Sequence, residues 1–279
     1  MSLHRLIFAL ALIPTAIFAD DCNVKGTEKD APVLCGRAVQ GGFLYGESDW
    51  RVANESQAAC DSVHCAERSD GGVFVIGIPM DAKENLKLRF CKDDVCRNFT
   101  YKIKQRKYAE QKLKVDDKFV HYPPEVEKRI DAENKRFSEA RAPRDRSFIG
   151  FMDWKYPFAK KYPMTGEYGS RRVFNGVPKS PHKGVDMAAP KGTPVRSIGA
   201  GRVALTIDAY MSGKTVVVSH GFGIFSLYAH LDKINVKKGD AVETDSVIGN
   251  VGATGRASGP HLHLGLYFNN AALDPALLF

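Results

Sequence analysis

Apolar and polar positions alternate in short runs over most of this chain. From about Phe148 onward the runs are "GVDMA", "TPVRSI", "GRVALTI", "TVVVSHG", "IFSLYAHL", "SVIGNVG" and "HLHLGLYF", separated by Gly, Asp, Asn and Lys. Alternation at period two puts successive side chains on opposite faces, so each run reads as a β-strand. A second group, "RAVQGGFLYG", "GVFVIGI", "LKLRFC" and "NFTYKIK", lies before Gln105. Between the two groups the chain is highly charged. There Pro123-Pro124-Glu125 marks a helix start, Val126, Ile130, Phe137 and Ala140 share one stripe, and Pro143 ends the helix. That stripe must rest on something, so the helix is expected as a packed connector. The predicted class is mainly β: a C-terminal antiparallel β-sandwich, a small disulfide-linked N-terminal β domain and a connecting helix.

The first residues break the pattern. "MSLHR" is basic, "LIFALALIPTAIFA" (Leu6 to Ala19) is apolar, and Asp20 and Asp21 follow. This reads as a signal peptide cut after Ala19. The apolar run is shorter than the ~20 residues that span a bilayer, so no transmembrane anchor is expected after cleavage. The expected organisation is 1–19 signal peptide, 20–104 N-terminal β domain, 105–147 charged connector with helix, and 148–279 catalytic-domain candidate. All six cysteines, Cys22, Cys35, Cys60, Cys65, Cys91 and Cys96, lie in the first third. An even set confined to one segment of an exported chain reads as disulfides. Cys91 and Cys96 would face each other across a hairpin with Lys92 to Val95 as its loop. Cys22 with Cys35 and Cys60 with Cys65 are the simplest completion among the pairings that six cysteines allow.

Charge narrows the partners. Lys and Arg number 40 against 32 Asp and Glu, a net +8. That favours anionic partners such as cell-wall polymers or membrane surfaces. No Lys/Arg run is interleaved with aromatics, so nucleic acid is not expected.

The candidate chemistry lies in the last hundred or so residues, where His182, His220, His230, His261 and His263 gather. His182 and Asp186, separated by three residues with Gly184 between, can converge from a turn leading into a strand. His261 and His263 share one strand face. Singly, each histidine is more simply a satisfied structural one. Together, two His and one Asp make three zinc donors and leave the fourth position for water, the arrangement of a catalytic site.

The segments "PHKGVDMAAPKGTPV", "YAHL" and "GATGRASGPHLHLGL", in that order, closely resemble the lysostaphin-type (LytM-like) zinc peptidases of bacterial cell walls, over about Tyr162 to the C-terminus. The resemblance implies one Zn2+ per chain on His182, Asp186 and His263, with His230 and His261 as the catalytic pair. Tyr168, Arg171, Arg172 and Asn175 correspond to a groove wall and are candidate substrate contacts. His220 is a structural or groove-lining candidate. The implied function is hydrolysis of peptide crosslinks in peptidoglycan, between D-Ala and meso-diaminopimelate, in the periplasm. The implied partners are the peptide stems and a regulatory envelope protein. Two other readings compete: a non-catalytic regulator that binds peptidoglycan or divisome proteins, and a protease for glycine-rich proteins. The complete five-residue set favours the enzyme. The N-terminal domain is expected to cover the groove, so a fragment starting near Phe148 should cleave faster.

Overall fold

Side-chain alternation decides what each N-terminal strand packs against. The computed structural model describes residues 22–47, 51–52, 64–67, 73–92, 95–114, 122–142 and 153–279. The expected signal peptide, Cys60 of the expected Cys60–Cys65 pair and the expected boundary near Phe148 lie outside them. The first strands are β1 (Cys35–Gly36), β2 (Phe43–Glu47), β3 (Arg51–Val52), β4 (His64–Glu67), β5 (Val73–Gly77), β6 (Asn85–Lys92) and β7 (Val95–Lys102). They form two sheets, ordered β1-β2-β5-β4 and β3-β6-β7. Leu44, Phe74 and Ile76 turn inward onto Leu88, Phe90, Phe99 and Tyr101. On the opposite face Val75 joins the core of the C-terminal part, and Phe43 and Tyr45 pack against it. Strands β2 and β5 thus pack on both faces, which matches the near-continuous apolar run of β5. Cys22 is bonded to Cys35 and Cys91 to Cys96, as expected. The Cys91–Cys96 hairpin is tighter than expected, because Lys92 still pairs with Val95.

The connector contains more order than a single helix. Next along the chain come β8 (Glu110–Leu113), α1 (Pro124–Ala140), β9 (Met164–Gly166), β10 (Arg171–Phe174) and β11 (Val177–Pro178). Strand β8, which the charged composition hid, pairs in parallel with β10, from Glu110 opposite Arg171 to Leu113 opposite Phe174. Helix α1 begins with proline in its first turn, together with Glu125 and Glu127. The missing proline N–H costs nothing there, and the carboxylates face the positive end of the helix dipole. Phe137 is the buried anchor of the expected stripe, set among Leu205, Ile207, Val217, Phe225, Leu227 and Tyr267. Burying one such ring stabilises the docked helix by about 2 kcal/mol. The Arg141 guanidinium closes the contact, 4.2 Å above the Tyr267 ring centre.

The remaining strands are β12 (Gly184–Met187), β13 (Pro194–Arg196), β14 (Gly201–Ala209), β15 (Gly213–Gly221), β16 (Ile224–Ile234), β17 (Ala241–Val242), β18 (Val247–Val251), β19 (Leu262–Phe268) and β20 (Ala271–Leu273). The predicted mainly β class is borne out, and hydrogen bonds join ten strands into one sheet ordered β17-β14-β15-β16-β19-β12-β9, with β13, β18 and β20 branching from it. Val216, Val218, Ile224 and Tyr228 point to one face. Val217, Phe225, Leu227 and Ala229 point to the other, under α1. Strand β16 pairs with β19 up to Ala229 and with β18 from Leu231 onward, while β15 follows it to Leu231. The change of partner falls at His230.

The N-terminal module meets this sheet away from the histidines. Asp274, 3% exposed, accepts a 2.6 Å hydrogen bond from Arg106 Nη1, and its backbone N–H donates to Gly41 O. Gly77 backs onto Phe268.

Candidate active site

Register assembles the centre. Strands β12 and β19 pair so that Asp186 lies opposite His263, and β16 pairs with β19 so that Ala229 lies opposite His263. Leu262 and Leu264, fully buried, fix the other face of β19. His182 sits just before β12, where its backbone N–H donates to Ser170 O. His182 Nε2 is 3.1 Å from Asp186 Oδ1 and 3.0 Å from His263 Nδ1, and His263 Nδ1 is 2.8 Å from Asp186 Oδ1. Two glycines make room. A β-carbon at Gly166 would collide with Asp186 Oδ2, and one at Gly184 would lie 2.9 Å from His263 Cε1.

These donors fit a metal ion. His182 Nδ1–H donates to Glu167 O at 3.0 Å, which turns the Nε2 lone pair toward Asp186 and His263. Lone-pair atoms this close repel unless a proton or a cation lies among them. A tetrahedral ion with bonds of about 2.1 Å separates its ligand atoms by about 3.4 Å, so the 2.8, 3.0 and 3.1 Å contacts would open by a few tenths of an ångström to hold one. Burial alone would raise the Asp186 carboxyl. Where the facing nitrogens of His182 and His263 carry protons, their hydrogen bonds outweigh it and hold the group well below the usual carboxylate range. Burial also lowers His263, which keeps it neutral and able to coordinate.

His230 and His261 stand beside these donors, with ring centres 4.6 Å apart. The backbone at His230 is left-handed, φ 61°, and its N–H donates to Ser212 O at 2.8 Å. A non-glycine residue there is strained, and such strain clusters where a side chain must be aimed. Nδ1–H of His230 donates to Thr254 O and that of His261 to Gly259 O, both at 2.8 Å. Each carbonyl fixes the tautomer, so each neutral ring offers a bare Nε2. Burial pushes His230 down to about 4, which keeps it neutral at pH 7.

A groove of about 660 Å3 opens over the five residues, walled by Arg172, Phe174, Lys179, Lys183, Met211 and Arg256. Of the five candidate substrate contacts, Arg172 lines it. Tyr168 is 2% exposed, donates to Ala272 O and packs on Gly41. His220 is fully buried between Ala200 O and Ser226 Oγ, edge-on to Trp154. Arg171 points to the other face of β10 from Arg172, and Asn175 lies in the β10–β11 turn at φ 51°. Neither Arg171 nor Asn175 lines the groove. Among the described residues, none from 22–104 lines it either. Sequence reasoning missed Arg256, Gly166 and the carbonyls of Glu167, Thr254 and Gly259. Only Arg256 could have been flagged, by its place inside a quoted motif.

Residues 180–275 match the model of Peptidase family M23. A stretch of 110 residues is 41% identical to the peptidoglycan DD-endopeptidase ShyA of Vibrio cholerae, covering 39% of this chain and 26% of that protein. Another, of 123 residues, is 38% identical to an uncharacterized metalloprotease of Buchnera aphidicola, covering 43% of this chain and 32% of that protein. The chain thus spans about a third or less of the length of these curated relatives. A crystal structure described as a candidate M23 peptidase from Pseudomonas aeruginosa superposes with a TM-score of 0.62 at 29% identity, over 87% of this chain and 95% of that one. Residues 180–275 are therefore similar to the domain of Peptidase family M23.

Proposed function

We propose that this chain is a zinc endopeptidase that hydrolyses peptide crosslinks of peptidoglycan, between D-Ala and meso-diaminopimelate, in the periplasm. The observation that carries this reading is the convergence of His182 Nε2, Asp186 Oδ1 and His263 Nδ1 beside two histidines whose Nδ1 atoms are tied to backbone carbonyls. ShyA, a DD-endopeptidase by name, supports the substrate. The apolar run before Asp20 supports export. Among the described residues no helix is long and apolar enough to cross a membrane.

His182, Asp186 and His263 would hold the ion, with two neutral donors and one carboxylate leaving a net positive charge. A bound zinc ion supplies a Lewis acid that polarises the scissile carbonyl and acidifies water. The bare Nε2 atoms of His230 and His261 face the same space. One of them takes a proton as water oxygen attacks the carbonyl carbon, and the protonated ring then donates to the leaving amine as the C–N bond breaks. The other, when protonated, donates to the oxygen on which negative charge develops. Thr254 and Gly259 keep both rings in position through this exchange.

The test is mass spectrometry of crosslinked muropeptides digested with the zinc-loaded protein. The expected products are the two uncrosslinked halves, with a new D-Ala carboxylate on one. Intact dimers at every zinc concentration would refute the reading, and cleavage of a glycine-rich peptide in their place would select the protein protease.

A further inference from the structure

Among the described residues, the charged side chains lining the groove are nearly all of one sign: Arg172, Lys179, Lys183 and Arg256 line it, against a single carboxylate, Asp186. Asp186 is engaged by His182 and His263 and cannot neutralise them. Arg172, Lys183 and Arg256 are exposed. Arg256 is also oriented: its Nη1 donates to Tyr122 Oη at 3.1 Å and its backbone N–H donates to Met211 O, which leaves other guanidinium N–H groups for a ligand.

A cleft walled by cations concentrates anions, and a guanidinium suits a carboxylate's two oxygens. An uncharged peptide gains nothing from either effect. In a D-Ala–meso-diaminopimelate crosslink, the carbon bonded to the scissile nitrogen bears a carboxylate, so negative charge lies two bonds from the bond to be broken. We infer that the groove selects crosslinks in which this carboxylate is free, with Arg256 as its anchor and Arg172 and Lys183 as supporting cations. Amidation of the carboxylate removes the charge and with it the preference. The inference rests on the endopeptidase reading.

The test compares two crosslinked muropeptide dimers that differ only in amidation of that carboxylate, cleaved by the zinc-loaded full chain. The free acid is expected to show about tenfold higher kcat/KM, as for a charge-assisted contact. The ratio should shrink as salt is added. Arg256→Gln should narrow the ratio, chiefly by raising KM for the free acid, and Arg172→Gln should act in the same direction. Equal rates on the two dimers, or a ratio unmoved by both variants, would overturn the inference and leave the endopeptidase standing. If neither dimer is cut, the endopeptidase reading fails, and calorimetric titration with the free and amidated stem peptides still decides the charge preference. Tighter binding of the free acid supports it, and equal affinity overturns it.

Discussion

The imidazoles of His230 and His261 lie 4.6 Å apart, and each turns its Nδ1 to a backbone carbonyl, Thr254 for one and Gly259 for the other. His263, on the same strand face as His261, instead turns Nδ1 to Asp186. Two histidines separated by one leucine are therefore held by different partners, which supports the different duties proposed for them.

That difference is measurable by metal content. His263→Ala should lose zinc and turnover together, since it removes one of three donors. His261→Ala should retain zinc by elemental analysis while turnover falls by about 100-fold or more. Equal loss of zinc in both variants would contradict the division of roles.

The left-handed backbone at His230 gives a second test. A β-carbon in that conformation costs about 1 kcal/mol relative to glycine. Both His230→Ala and His230→Gly should be inactive, but the glycine variant should be the more stable by about that amount in urea unfolding. This ordering is the reverse of the usual one within a strand, so an alanine variant of equal or higher stability counts against strain at this position.

Gly166 touches the candidate metal site without supplying a donor. Gly166→Ala would push its new methyl into Asp186 Oδ2. The fold should tolerate the change, while zinc affinity falls by about 10-fold or more, as for disturbed second-layer partners of a metal ligand. Competition with a chelator reads this directly, and an unchanged affinity would show that Asp186 adjusts freely.

His220 predicts a pH dependence of stability. Burial pushes its folded-state value down to about 4, against an ordinary 6.5. Between those values the unfolded chain binds a proton that the folded chain refuses. Stability from this group is fully present above pH 6.5 and falls by at most about 1.4 kcal/mol per pH unit as the pH drops toward 4. Urea unfolding at pH 7 and pH 5 should show the fall, and His220→Gln should flatten it. A variant with the same slope as the parent would assign the effect to other groups.

Removal of the N-terminal part is expected to slow cleavage. Sequence reasoning anticipated a cover over the groove and hence a faster fragment. The described residues of 22–104 stay off the groove, whereas β8 supports β10, which carries Arg172 and Phe174. A fragment of residues 148–279 should show lower kcat/KM than the longer chain on the same muropeptide. A faster fragment restores the cover.

The strands of the C-terminal part were legible because each alternating run stands between turn residues, and the five-residue centre was legible because its motifs are short and local. The rest depends on contacts between distant segments. The apolar run Val73–Gly77 signals burial on two faces, but nothing in it says that the second face is covered by the neighbouring sheet. Glu110–Leu113 has the composition of a solvated linker and becomes a strand only through its partner. Tyr168 and Arg171 sit in a segment resembling a groove wall, yet the chain folds them away from the groove. The carbonyls that fix the rings of His230 and His261 belong to the backbone, and no side-chain pattern reports them.

The parallel pairing of β8 with β10 has a practical consequence. A shortened protein beginning after the connector would expose a ladder of unpaired N–H and C=O groups along β10, and an open edge of this kind recruits another strand. Copies of the fragment could then associate through that edge. Any dimer found for such a fragment would be a product of the cut, and crystals or binding curves obtained from it should be compared with the longer chain before a quaternary structure is assigned.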